Sequence, residues 1–124
     1  MKAGDVFRFL GIAEIHAWTI ISDPARDAQK VPMVNFTTWD PALDQACIIE
    51  PGEHPFIVGR SLVNFARSKV VTDLQLEALR AKARLQFLDP LSAAVLAKIR
   101  ECAMRSTTLP LEYADILLDQ ELVD

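Results

Sequence analysis

Two histidines, a threonine pair and a group of arginines are the residues of this chain whose types and spacing could do chemistry. His54 lies in a Pro-Gly turn inside the stretch Cys47 to Thr72, CIIEPGEHPFIVGRSLVNFARSKVVT, and Arg60 and Arg67 follow it closely. His16 leads the apolar stretch HAWTIIS, while Thr37 and Thr38 end another, VPMVNFTT. An imidazole titrates near neutrality and can take or give a proton, and the planar donor fork of an arginine matches an oxyanion such as a phosphate. The set therefore suits proton transfer at a centre that gains negative charge. Each residue also has a plain structural use. His54, between Glu53 and Pro55, could hold its turn through backbone hydrogen bonds; His16 could simply lead a strand; Arg60 and Arg67 could guard an edge strand against aggregation. Thr37 and Thr38 alternate across a strand, so one faces the core and only the other could serve a site.

Other chemistries leave no trace. There is no glycine-rich phosphate loop, no Ser-His-Asp order, no metal-ligand cluster and no nucleotide fingerprint, so neither a metal nor a cofactor is expected. Cys47 and Cys102 lack metal-ligand spacing and fall where small apolar residues are usual, which predicts free thiols.

The elements that must position these residues follow from periodicity. DVFRFL, Asp5 to Leu10, alternates around Val6, Phe7 and Phe9 and suits a half-buried first strand. Gly11 to Glu14 is a short connection, and His16 to Ser22 is a second strand ended by Asp23-Pro24. After a loop over Ala25 to Lys30, Val31 to Trp39 gives a third strand, with Pro32 allowed only at its start or on an edge. Ala46 to Glu50, Pro55 to Val58 and Ser61 to Val71 continue the strands around the Pro51-Gly52 turn. At Thr72 the period changes from two to 3.6. Thr72 and Gln75 have the form of a capping box, and Leu76, Leu79, Ala83 and Phe87 follow at helical spacing, predicting a helix over Asp73 to Leu88. Asp89-Pro90 then opens a second helix carrying the stripe Leu91, Val95, Ile99 and Cys102 and ending near Met104 or Arg105. Leu111 to Leu118 reads as a short third helix. The chain is thus a single domain, mainly β with C-terminal α: a small barrel of five or six strands over residues 4–71, helices over 73–105, and an acidic segment over 106–124.

The net charge of −4 argues against a generic nucleic-acid binder. The average conceals an asymmetry, because nine basic residues face four acidic ones between Arg60 and Arg105, and five acids with no base follow from Ser106 onward. Solvated helix faces and an acidic tail are the plainer account of this, and a basic face for RNA or an acidic partner is the sharper one. The terminal acids are interleaved with Tyr113, Ile116, Leu117, Leu118, Leu122 and Val123, so the segment reads either as a last core helix or as a mask over the basic region. No run of about 18 apolar residues occurs, and Asp5 interrupts any signal-peptide core, so a cytoplasmic protein without membrane contact is expected.

Several of these stretches resemble the MazF/PemK-like toxin family: the start Gly4-Asp5-Val6-Phe7, the strand and serine turn TIISDP, the hydroxyl-ended strand VNFTT, and a late arginine strand leading into PLS..VL..I. The resemblance runs from Gly4 to about Ala103. It implies an SH3-like barrel with C-terminal helices, a homodimer, metal-independent endoribonuclease activity on single-stranded RNA, and control by an antitoxin protein. The family's hydroxyl at the end of the third strand matches Thr37 or Thr38, whereas near the place of its arginine before the second strand this chain has His16. Chemistry then makes His54, His16, Thr38, Thr37 and Arg67 the catalytic candidates, and Arg60, Lys69 and Trp39 the RNA-binding ones, Trp39 by stacking a base. A second class fits the same barrel: a non-catalytic interaction protein that acts by contact, as the related CcdB-like toxins do.

Overall fold

Alternating apolar residues in the first half of the chain form the strands of one curled antiparallel sheet, seen in a computed structural model that describes residues 1–11 and 16–123. Five strands come first: β1 (Val6–Phe9), β2 (Trp18–Ile20), β3 (Val31–Thr38), β4 (Ile48–Ile49) and β5 (Ser61–Val71). They are followed by α1 (Asp73–Ala81), β6 (Leu85–Leu88), α2 (Ala93–Arg105) and α3 (Leu111–Asp119). The sheet order is β4-β5-β3-β2-β1-β6, a half-barrel with the helices at the C-terminal end of the chain. The connection expected over Gly11 to Glu14 lies, apart from Gly11, outside the described residues, as does the last acid, Asp124.

Both faces of the central strands are buried, which is why they are rich in apolar residues rather than strictly alternating. One face, with Val6, Ile21, Val34, Phe36, Val63 and Phe65, packs against Val95, Ile99 and Cys102 of α2 and Leu117 of α3. The other, with Phe7, Trp18, Ile20, Val31 and Met33, packs against Leu76 of α1. Full burial of a side chain such as Ile99 stabilises by about 2 kcal/mol, so the α2 stripe is a principal anchor of the half-barrel. Cys47 and Cys102 are free thiols buried within that same core.

Three expectations need correction. The first helix stops at Ala81, not Leu88, because Leu85–Leu88 forms β6 and pairs with all four residues of β1. Ala83 takes a left-handed backbone (φ 54°) to make that exit, and the pairing covers an edge that β1 would otherwise expose. The second helix starts at Ala93 under a Ser92 cap, whose hydroxyl accepts from the Val95 amide at 3.2 Å. Asp89 to Leu91 is instead an extended tie, with Leu91 N–H donating to the Gly4 carbonyl at 2.9 Å. Finally, Pro55 to Val58 is turn and loop rather than strand, and no ladder joins β4 to β6 among the described residues.

The acidic terminal segment is core. Leu117 is fully buried, Tyr113, Ala114, Leu122 and Val123 pack beside it, and the Gln120 side chain accepts from the Asp23 amide at 2.8 Å. Glu112, Asp115 and Asp119 line a cleft shared with Arg26 and Lys30, so the idea of a mask over the basic region is dropped. No helix of the described residues is long and apolar enough to cross a membrane.

Candidate functional site

The end of β3 sets the site, because the alternation of that strand decides where each hydroxyl points. Phe36 belongs to the α2-side core, so Thr38, two residues on, shares its face, while Thr37 lies on the opposite side of the sheet beside Leu62. At Thr38 the core ends and the strand runs out to solvent. The neighbouring segment is held by two bonds to one residue: the Phe36 amide donates to the Ala17 carbonyl at 3.0 Å, and His16 Nδ1 donates to the Phe36 carbonyl at 3.0 Å. That second bond makes Nδ1 a donor and turns the Nε2 edge of the ring away from Phe36.

A loop roofs this end of the sheet. Residues 56–60 lie over Ala17 and Phe36, enclosing a cleft of about 340 Å³ that is also lined by His16, Thr37, Thr38, Ser61 and Arg8. Trp39 sits at the rim, tied by its amide to the Arg60 carbonyl at 3.0 Å, with the Arg60 guanidinium 5.9 Å above its ring. Arg60 also pairs with Glu50 at 2.8 Å, so part of its charge is already answered. The loop itself is anchored from below. Glu53 accepts from Lys98 of α2 at 2.8 Å and from the Glu50 amide at 2.6 Å; the Lys98 ammonium, then the amide, hold its carboxyl below the usual carboxylate range.

The cleft therefore gathers His16, Thr37, Thr38 and Arg60 from three separate stretches of chain. It also contains Arg8, which sequence reasoning missed. Arg8 lies two residues beyond Val6 and so on the α2-side face, and the β1–β2 register carries it to a place beside Ala17. A charged residue on the face that Val6 buries was the available signal.

The fold is similar to that of a mycobacterial endoribonuclease. That structure, solved in complex with its cognate antitoxin, superposes with a TM-score of 0.57 at 20% sequence identity, covering 89% of this chain and 97% of the other. Comparison with protein-family models finds no match, and comparison with curated proteins finds none either. What the endoribonuclease and this chain share at such identity is the fold, a mainly β half-barrel with C-terminal helices.

Three of the sequence candidates lie away from the cleft. His54 is only 4% exposed; its Nε2 donates to the Asp89 carbonyl at 2.9 Å, and its ring packs edge-on against Phe56 at 4.7 Å. It is a clasp between the loop after β4 and the end of β6, which corrects the expectation that it shares a surface with the arginines and an exposed threonine. Arg67 is exposed in an irregular part of β5, where Phe65 to Ser68 stand opposite Val34 alone. Lys69 pairs in register with Met33 on the α1 side of the sheet, its ammonium 5.8 Å over the Trp18 ring. A larger cleft, about 530 Å³, lies between the 26–30 loop and α3, but its side chains mix both charge signs and none of the sequence candidates line it. Among the described residues no three His, Cys, Asp or Glu side chains converge as a metal-binding group.

Proposed function

We propose that this protein is a toxin-type endoribonuclease that cleaves single-stranded RNA in the cleft between β1, β3 and the 56–60 loop, without a metal ion, and is controlled by an antitoxin protein. The observation that carries this reading is the convergence of His16, Thr38 and Arg60 on one cleft. His16 Nε2 takes the proton of the 2′-hydroxyl, the 2′-oxygen attacks phosphorus, and the bond to the 5′-oxygen of the next nucleotide breaks. That oxygen is protonated from solvent, leaving a 2′,3′-cyclic phosphate and a 5′-hydroxyl. Thr38 offers a hydroxyl donor to the phosphate, and Trp39 with Arg60 forms a rim on which a base stacks. Arg67 and Lys69, both exposed, would contribute only to the wider field that attracts RNA. Incubating the protein with mixed single-stranded RNA in EDTA tests the reading: discrete fragments with cyclic-phosphate ends support it, and intact RNA over long incubation rejects it.

One observation favours a second reading. With His54 withdrawn into the core, a single imidazole remains in the cleft and no second one serves the leaving oxygen. A non-catalytic interaction protein would need only the rim and the apolar walls. Intact RNA together with retained capture of a protein partner would select it.

A further inference from the structure

Two guanidinium groups line the cleft, and their surroundings differ. Arg60 is exposed at the rim, engaged by Glu50 at 2.8 Å and stacked over Trp39. Arg8 is half-buried on β1, none of the described ion pairs uses it, and its Nε is buried without a hydrogen-bond partner among the described residues. An unpaired buried N–H of a charged group is costly, because the group has given up water and gained nothing in its place. The guanidinium that lines the cleft is therefore left without an answering carboxylate among the described ion pairs. The position also suits a phosphate: His16 and Thr38 line the cleft with Arg8, and among the described residues no carboxylate does.

Resting on the ribonuclease reading above, we infer that Arg8 is the residue that holds the reacting phosphate in this cleft. Its planar guanidinium carries two Nη groups whose N–H donors suit two oxygens of one phosphate at once, a geometry that a lysine cannot reproduce. Since the phosphate gains negative charge as the 2′-oxygen attacks, a half-buried arginine beside it stabilises that state more than the starting one. Arg60 at the rim then serves the flanking nucleotide, and its pairing with Glu50 makes it the lesser of the two cations.

The test uses the full chain as wild type, Arg8→Gln and Arg8→Lys, with two readouts. The first is steady-state cleavage of a single-stranded RNA; the second is equilibrium binding of the same sequence with every 2′-hydroxyl methylated, which cannot be cleaved. Arg8→Gln is expected to lower kcat about 100-fold with KM changed far less, and to weaken binding of the methylated strand, while Arg8→Lys restores binding more than it restores kcat. Wild-type cleavage with Arg8→Gln equal to it in kcat and in binding overturns the role of Arg8 and leaves the ribonuclease reading standing. No wild-type cleavage, with binding that still depends on Arg8, rejects the ribonuclease and keeps the phosphate site. No binding by wild type removes both. Should Arg8→Gln fail to fold, Arg8→Lys alone decides: it retains the charge and loses the fork, so an unchanged kcat contradicts the inference.

Discussion

His54 Nε2 donates to the carbonyl of Asp89 at 2.9 Å, joining two points 35 residues apart and fastening the loop after β4 to the end of β6. The sheet has its edges at those two strands, so this bond bridges the gap that no ladder closes. It also fixes one end of the loop whose residues 56–60 roof the cleft.

His54→Ala is therefore expected to cost stability, about 1–3 kcal/mol from the lost hydrogen bond and the carbonyl left unpaired, with added loss from the Phe56 contact. Chemical denaturation measures it. An unchanged midpoint would contradict the clasp.

The α2 stripe leads to a larger effect. Val95 is buried among Ile99, Cys102 and the strands, so Val95→Asp places an unpaired carboxyl in that core and is expected to destabilise by about 3 kcal/mol or more. A melting curve like that of the wild type would show that the helix packs elsewhere.

Removing α3 and its tail separates core from appendage. Deleting Leu111 to Asp124 takes away Leu117, fully buried, and the Gln120 bond to the Asp23 amide, so aggregation or a large fall in Tm is expected. A truncated chain that stays folded and monomeric would return the segment to the status of a mask.

These elements were unevenly legible in the sequence. Val31 to Thr38 is a strand as its apolar run and the flanking Asp40-Pro41 indicate, and the Thr72–Gln75 capping box forms with bonds of 3.0 and 2.9 Å, because both depend on near neighbours. Leu85–Leu88 was illegible as a strand, since Leu76, Leu79, Ala83 and Phe87 satisfy helical spacing and only pairing with distant β1 overrides it. The same holds for the site. His54 carried the chemistry expected of a turn histidine, yet its partner is a backbone carbonyl that no side-chain spacing reveals, whereas His16 and Thr38 line one cleft only because β2 and β3 are neighbours.

Acid should loosen the loop before the core. Glu53 is held below the usual carboxylate range by Lys98 and the Glu50 amide. Burial alone would raise the Asp44 carboxyl, but the hydroxyls of Ser106 and Thr108 with backbone amides outweigh it and leave it lowered too. A depressed folded pKa contributes stability that is fully present above the unfolded value, about 4, and is lost as pH falls through the folded one. Denaturation midpoints are thus expected to fall below about pH 4, and less so in Lys98→Met, which removes the first cause at Glu53. Equal pH dependence in the two proteins would contradict that coupling.

The central claim, that the chemistry belongs to the cleft of His16 and not to the turn of His54, is tested most directly by measuring RNA cleavage in EDTA for His16→Ala and His54→Ala side by side, each at a temperature where it is folded. His16→Ala is expected to lose about 100-fold or more in kcat with its denaturation midpoint nearly unchanged, and His54→Ala to keep most of its activity despite its lower stability. The reverse result, with His54→Ala inactive while folded and His16→Ala fully active, would contradict the account.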